Sequence, residues 1–105
     1  MKLIDYQNGV KEYVLPTANN PQYLFTGLAG EVGEVCSLYA KAVRDTCPQH
    51  IVTNNLIKEL GDVMWFVAML CNYYGLDLED VMESNLDKLS RRKANGTIQG
   101  SGDER

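Results

Sequence analysis

Two pairs of acidic residues with the same spacing lie within the two longest stretches of apolar helical periodicity. Glu31 and Glu34 form the first pair, and Glu59 and Asp62 form the second. Residues three positions apart share one face of an α-helix, so each pair can direct two carboxylates the same way. Four converging carboxylates would suit Mg²⁺, which prefers oxygen ligands and is usually completed by substrate phosphates.

The spacing of these acids does not by itself establish a metal site. A chain of 105 residues with 14 acids is expected to hold on the order of two such pairs by chance. Asp77 and Asp80 have the same spacing, but they lie where a helix is expected to begin. The first two pairs differ because they border the apolar stripes of two helices that must pack together.

Four helices are predicted from the apolar periodicity and the capping residues, with no competing strand pattern. Their expected bounds are about 5–14, 21–44, 53–74 and 77–92. Asn20 and Asp77 are the expected N-caps of the second and fourth helices, and Gly75 is the expected C-cap of the third. The predicted fold is therefore an all-α, four-helix bundle-like domain in which the second and third helices pack antiparallel.

Composition limits the class of protein. At 105 residues the chain is expected to form one domain, 1–105, with a flexible polar tail over about 95–105. The net charge of −4 argues against a nucleic-acid partner, which would require a basic surface. No apolar run of about 18 residues and no signal peptide is found, so we expect no membrane association and a cytoplasmic location.

Three glycines lie inside the second predicted helix, where each costs up to about 1 kcal/mol relative to alanine. They are Gly27, Gly30 and Gly33. Their absent side chains would either allow two helices to approach closely or leave room for metal ions and phosphates, and the two explanations are compatible. The three cysteines form no CxxC motif, so we expect reduced, largely buried thiols.

Four aromatic residues on the third predicted helix could form a platform for a nucleotide base. They are Trp65, Phe66, Tyr73 and Tyr74. Aromatic side chains on a long apolar helix are more often part of a core or of a subunit interface, and we favour that interpretation.

Together, the stretches GLAGEVGEV, KELGDVMWFV and NLDKLSRRK resemble the MazG-like members of the all-α nucleoside triphosphate pyrophosphohydrolase superfamily. That family carries an ExxE pair followed one helix and loop later by an ExxD pair, here Glu31, Glu34, Glu59 and Asp62. An Asn and a Lys three apart follow in the next helix, here Asn85 and Lys88, with Arg92 one turn further on. The resemblance spans nearly the whole chain, including the closing GTIQGSGDER.

The resemblance implies hydrolysis of a nucleoside triphosphate between its α and β phosphates, giving a nucleoside monophosphate and pyrophosphate. The four acids would hold Mg²⁺, with Mn²⁺ as an alternative, and Glu31 or Glu34 would serve as the general base. Asn85, Lys88 and Arg92 would bind the substrate, with the fourth helix closing over the phosphates. Without the resemblance, Lys88 and Arg92 would be interpreted as a solvated basic face at a helix C-terminus.

The resemblance also implies a homodimer or homotetramer, and Tyr6, Gln7 and Asn20 would border the nucleoside pocket. Two other functions remain open from the sequence. One is a non-catalytic, helical regulatory module that senses nucleotides. The other is a base-specific relative such as a dUTPase or dCTP pyrophosphatase. The hydrolase would serve house-cleaning or control of the nucleotide pool.

Overall fold

The computed structural model describes residues 1–105 and is all-helical, with four α-helices and no strand, as the periodicity predicts. The helices are α1 (Leu3–Gly9), α2 (Pro21–Asp45), α3 (Gln49–Tyr73) and α4 (Leu78–Ala94). Two short 3-10 segments, Val10–Tyr13 and Pro16–Ala18, connect α1 to α2. None of the helices combines the length and the apolar character needed to cross a bilayer.

The expected caps form where the local sequence provides them. Asn20 accepts a hydrogen bond from the Tyr23 amide at 2.9 Å, and the Asp77 carboxylate accepts from the amides of Glu79 and Asp80. Gly75 follows the end of α3 with a φ of +66°, a conformation that glycine adopts without strain. These side-chain and backbone preferences fix the starts of α2 and α4 and the end of α3.

Two helix boundaries differ from the prediction by more than two residues. The α-helical part of α1 ends at Gly9 and continues as a 3-10 helix to Tyr13, so the predicted helix over 5–14 is a composite. Helix α3 begins at Gln49, four residues before the predicted start, because extended Pro48 takes the N-cap position. Proline cannot donate a backbone hydrogen bond, and at this position none is required.

Helices α2 and α3 form the body of the molecule. Each is 25 residues long, and only Thr46–Pro48 separate them, so they pack antiparallel along their length. Leu24 is fully buried between them, and the ring of Phe66 lies directly against the backbone at Gly27. The core continues through α3 to the 3-10 segment after α1 and the start of α4, as Ala68, Met69, Cys71, Val10 and Leu78.

Helix α4 packs against α1. The buried side chain of Gln7 joins these elements: its amide nitrogen donates to the Leu76 carbonyl at 2.7 Å, and its oxygen accepts from the Leu78 amide at 2.8 Å. The radius of gyration is 16.7 Å. A compact domain of this length would have about 13 Å, so the fold is open.

Several apolar and sulfur-containing side chains are more exposed than expected. Of the four aromatic residues considered above, Phe66 is buried and Trp65 packs against the core, but Tyr73 and Tyr74 at the end of α3 are exposed. The three cysteines are unpaired as expected, but only Cys71 is buried. Within a single chain, the core interpretation is thus wrong for Tyr73 and Tyr74, and the predicted burial is wrong for Cys36, because this open arrangement leaves them uncovered.

Candidate active site

Three of the four predicted acidic residues come together across the α2–α3 interface. Oxygen atoms of Glu31, Glu59 and Asp62 all lie within 4.8 Å of one another. Antiparallel packing produces this arrangement, because it sets the first half of α2 beside the middle of α3. Glu31 and Glu59 are partly buried, whereas Asp62 is exposed. We call these three residues the acidic cluster.

The acidic cluster disfavours the ionised form of one of its own members. Burial, followed by the charges of Asp62, Glu59 and Glu34, raises the pKa of the Glu31 carboxyl above its ordinary value. Like charges held this close repel each other unless a cation or a proton intervenes. Three carboxylates with converging oxygens are a donor set that fits a hard divalent cation such as Mg²⁺.

Glu34 has a different position from the other three acids. It lies one turn beyond Glu31 on α2, it is exposed, and it is not part of the acidic cluster. Its charge still acts on Glu31, as the last of the three that raise the Glu31 pKa. Glu34 therefore lies near the acidic cluster without being part of it.

Tyr6 brings α1 close to the acidic cluster. Burial and the charge of Asp62 raise the pKa of the Tyr6 hydroxyl above its ordinary value. A cavity of about 290 Å³ lies beside it, between α1, the following 3-10 segment and Trp65 of α3. Its lining mixes apolar and acidic side chains, including Tyr13 and Asp5. Of the three residues expected to border a nucleoside pocket, Tyr6 is the one placed near the acids.

The other two residues have structural partners. Gln7 is buried, and both ends of its side-chain amide are bonded to the backbone of the α3–α4 connection. The Asn20 side chain caps α2 through its oxygen and donates to the Thr17 carbonyl through its nitrogen at 2.9 Å.

The three predicted substrate-binding residues on α4 differ in exposure. Asn85 is exposed, Lys88 is partly exposed, and the Arg92 side chain is only 8% exposed. Arg92 therefore does not belong to a solvated basic face. Lys88 and Arg92 both pair with Asp103 of the C-terminal tail, and neither forms an ion pair with the four predicted metal ligands.

Asp103 is the partner of Lys88 and Arg92 that the sequence did not reveal. Its carboxylate oxygen Oδ1 lies 3.8 Å from Lys88 Nζ and 3.6 Å from an Arg92 guanidinium nitrogen. An acid in a polar, glycine-rich segment has no periodicity that would indicate a partner. The only signal was charge complementarity with the basic end of α4.

Residues 19–97 match the family model described as MazG nucleotide pyrophosphohydrolase domain. This range includes all seven predicted site residues and ends before Asp103. No solved structure matches the chain.

Two relatives are similar to this chain over different lengths. The Gene 37 protein of Mycobacterium phage L5 is 45% identical over 87 residues, covering 79% of this chain and 75% of that protein. The uncharacterized protein YvdC of Bacillus subtilis (strain 168) is 49% identical over 37 residues, which is 35% of each chain.

Proposed function

The chain belongs to the MazG nucleotide pyrophosphohydrolase family, and on that premise we propose that it is a Mg²⁺-dependent nucleoside triphosphate pyrophosphohydrolase. Residues 1–105 would act as a single MazG-like domain. Its substrate would be a ribo- or deoxyribonucleoside triphosphate, and its role would be house-cleaning or control of the nucleotide pool. The observation that carries this proposal is the acidic cluster, in which two helices bring three carboxylates within 4.8 Å.

In the proposed reaction, a water molecule attacks phosphorus and the anhydride bond between the α and β phosphates breaks. The products are the nucleoside monophosphate and pyrophosphate. Glu31, Glu59 and Asp62 would hold Mg²⁺, or Mn²⁺ in its place, with Glu34 at the edge of the group. The bound ion would supply positive charge that offsets the phosphate charge repelling the nucleophile.

We assign the general base to Glu34 rather than Glu31. The Glu31 carboxylate lies beside those of Glu59 and Asp62, so a cation held by the acidic cluster would bind it. Glu34 is exposed beside the acidic cluster and has no ion-pair partner, so it can accept the proton that the attacking water loses. A general base typically contributes about 10²- to 10⁴-fold to the rate.

Asn85, Lys88 and Arg92 would bind the substrate, with the two cations on its phosphates. The guanidinium of Arg92 can hold two oxygens at once, and the ammonium of Lys88 acts as a mobile point charge. Both already hold a carboxylate oxygen of Asp103, which supports their capacity to bind an anion.

We also propose that the functional unit is a homodimer, or a homotetramer built from two dimers. Three outward faces carry exposed apolar side chains at helical spacing. They are Val32, Tyr39 and Val43 on α2, Ile57, Leu60 and Met64 on α3, and Met82, Leu86 and Leu89 on α4. A monomer rarely leaves this much apolar surface in water, so a second copy is the simplest partner to cover it.

The experiment is a pyrophosphate-release assay over a panel of canonical and modified nucleoside triphosphates, with Mg²⁺, with Mn²⁺ and with EDTA. We expect release that depends on the metal and gives the monophosphate in equal amount. Normal binding of the nucleotides without any release would identify a non-catalytic, nucleotide-binding module instead. Strong preference for dUTP or dCTP would identify a base-specific relative.

Two substitutions separate the proposed roles of the acids. Glu59→Gln should weaken Mg²⁺ binding measured by calorimetry and thereby abolish turnover. Glu34→Gln should lower kcat by about 10²- to 10⁴-fold while Mg²⁺ still binds. Both variants should keep the helical circular-dichroism signal. Full activity of Glu34→Gln would remove Glu34 from the catalytic machinery.

A further inference from the structure

The C-terminal tail folds back on itself over residues 97–105, which we call the tail loop. The Arg105 guanidinium closes the loop by donating to the carbonyls of Gly102 at 2.7 Å, Thr97 at 3.0 Å and Ile98 at 3.2 Å. Gly100 and Gly102 have φ values of +112° and +91°, which favour glycine and allow the sharp reversal. The tail loop is therefore a defined, hydrogen-bonded structure.

The tail loop covers Arg92, near the C-terminal end of α4. An Arg92 guanidinium nitrogen donates to the carbonyls of Asp103 at 3.2 Å and Gly102 at 3.4 Å, and it also pairs with the Asp103 carboxylate. Lys88 reaches the same carboxylate oxygen. Because the Arg92 side chain is only 8% exposed, it cannot contact a substrate phosphate while the tail loop stays in place.

The guanidinium of Arg92 is incompletely satisfied in this closed arrangement. Its Nε atom is buried and has no hydrogen-bond partner, while one terminal nitrogen makes all the contacts to the tail loop. An unsatisfied buried donor is unfavourable. A phosphate group can accept from Nε and a terminal nitrogen together, in the bidentate geometry that guanidinium groups favour. The closed contact thus leaves unused a donor that a phosphate would engage.

We propose that the tail loop is a displaceable lid, in which the Asp103 carboxylate occupies the place of a substrate phosphate on Lys88 and Arg92. The triphosphate must open the lid to reach Arg92, so Asp103 competes with the substrate. This inference rests on the proposed function for the identity of the anion. It goes beyond the family match, which ends at residue 97, before Asp103.

A purely structural role for Asp103 makes the opposite prediction. If Asp103 served to hold Lys88 and Arg92 in position for phosphate, its removal would weaken anion binding. If it competes with phosphate, its removal strengthens binding. The sign of the change in affinity therefore distinguishes a lid from a positioning residue.

The test compares Asp103→Asn with the unchanged chain, using Glu104→Gln as the matched control. Glu104 is the neighbouring exposed acid and forms no hydrogen bond or ion pair through its side chain. The probe is inorganic tripolyphosphate, titrated by calorimetry in EDTA so that metal held by the acidic cluster cannot contribute. We expect Asp103→Asn to bind about two- to five-fold more tightly, the range that exposed ion pairs support.

A second variant tests the closure of the loop without touching the anion site. Arg105→Gln removes the three hydrogen bonds that close the tail loop, so it should strengthen tripolyphosphate binding in the same direction. In the pyrophosphate-release assay, Asp103→Asn should lower KM with little change in kcat. The lid proposal would be refuted by weaker or unchanged tripolyphosphate binding by Asp103→Asn, or by no binding to any of these proteins.

The binding measurement also separates this inference from the proposed activity. Tighter tripolyphosphate binding by Asp103→Asn in a protein that hydrolyses no nucleoside triphosphate would support the lid and refute the hydrolase. Hydrolysis with unchanged tripolyphosphate binding would support the hydrolase and refute the lid.

Discussion

Glu31 is the residue in which folding and the proposed chemistry conflict. Burial of its carboxyl, followed by the charges of three neighbouring acids, raises its pKa above the ordinary value. A raised carboxyl pKa means that the folded protein holds its proton more tightly than the unfolded chain does. The free energy of unfolding therefore falls as pH rises through the interval between the ordinary and the raised pKa. At neutral pH the charge on Glu31 should destabilise the metal-free protein.

Neutralising Glu31 should therefore stabilise the metal-free protein. We expect Glu31→Gln to raise the free energy of unfolding at pH 7 by about 0.5 kcal/mol, the size of charge interactions at partly exposed sites. The gain should vanish at a pH below the ordinary carboxyl pKa, where both proteins are neutral at this position. Urea unfolding in EDTA at the two pH values measures it. The same variant should lose most of its stabilisation by added Mg²⁺.

Glu83→Gln provides the comparison for this prediction. Glu83 is an exposed acid on α4, outside the acidic cluster, so its substitution should leave the unfolding free energy nearly unchanged at both pH values. An equal gain from both substitutions would mean that net charge, rather than repulsion at the acidic cluster, is responsible.

At the scale of the elements, the packing of α2 against α3 distinguishes the role of Gly27 from that of Gly30 and Gly33. A Cβ atom at residue 27 would overlap the ring of Phe66, whereas nothing lies within 4 Å of one at residue 30 or 33. Gly27 thus serves the close approach of two helices. Gly30 and Gly33 leave open space on the helix that carries Glu31, which is compatible with room for phosphates.

Replacing a glycine of α2 with alanine should have opposite effects on the free energy of unfolding at positions 27 and 30. Gly27→Ala should lower the free energy of unfolding by about 1–3 kcal/mol, because the buried Phe66 ring must move. Gly30→Ala, in the same helix, should raise it by up to about 1 kcal/mol through better helix propensity. Thermal and urea unfolding measure both. Equal effects of the two substitutions would show that the contact with Phe66 does not constrain the packing of α2 on α3.

Gln7 connects α1 to the junction between α3 and α4. Its buried amide is bonded to the backbone at Leu76 and Leu78, so Gln7→Ala would leave a part-buried carbonyl and a buried N–H without this partner. Each unsatisfied group costs about 1–3 kcal/mol, and we expect a loss in that range or above it. Asn8→Ala, at the exposed neighbour, should change stability by no more than about 0.5 kcal/mol. Urea unfolding of both variants provides the comparison.

The helices illustrate what the sequence could and could not specify. Asn20, Asp77 and Gly75 act on backbone groups a few residues away, so their roles follow from local chemistry. The acidic cluster was also predictable, because two long helices with a short connection must pack antiparallel. The placement of α4 was not, since it depends on contacts such as that of Gln7 with Leu76, 69 positions apart.

The tail shows the same limit more clearly. The pairing of Lys88 and Arg92 with Asp103 depends on a reversal of the chain at two glycines and on three hydrogen bonds from Arg105. No periodic pattern in the sequence indicates that reversal.

At the scale of the whole molecule, the open shape and the exposed apolar faces have one explanation. A radius of gyration of 16.7 Å and only ten buried residues describe a chain whose core is smaller than its apolar content could form. Small domains often complete their core by association. A second copy that covers the outward faces of α2, α3 and α4 would bury side chains such as Leu86, which is 67% exposed in the monomer.

Association should therefore be measurable and should depend on these faces. We expect light scattering after size exclusion to give a dimer or tetramer mass at micromolar concentration, and the midpoint of thermal unfolding to rise with protein concentration. Tyr39→Glu on α2 and Leu86→Glu on α4 should each weaken association, because each places a charge in the buried interface. Leu15→Glu is the control, since Leu15 is exposed but lies outside the three faces. A monomer at all concentrations, or equal weakening by all three substitutions, would contradict the proposed homo-oligomer.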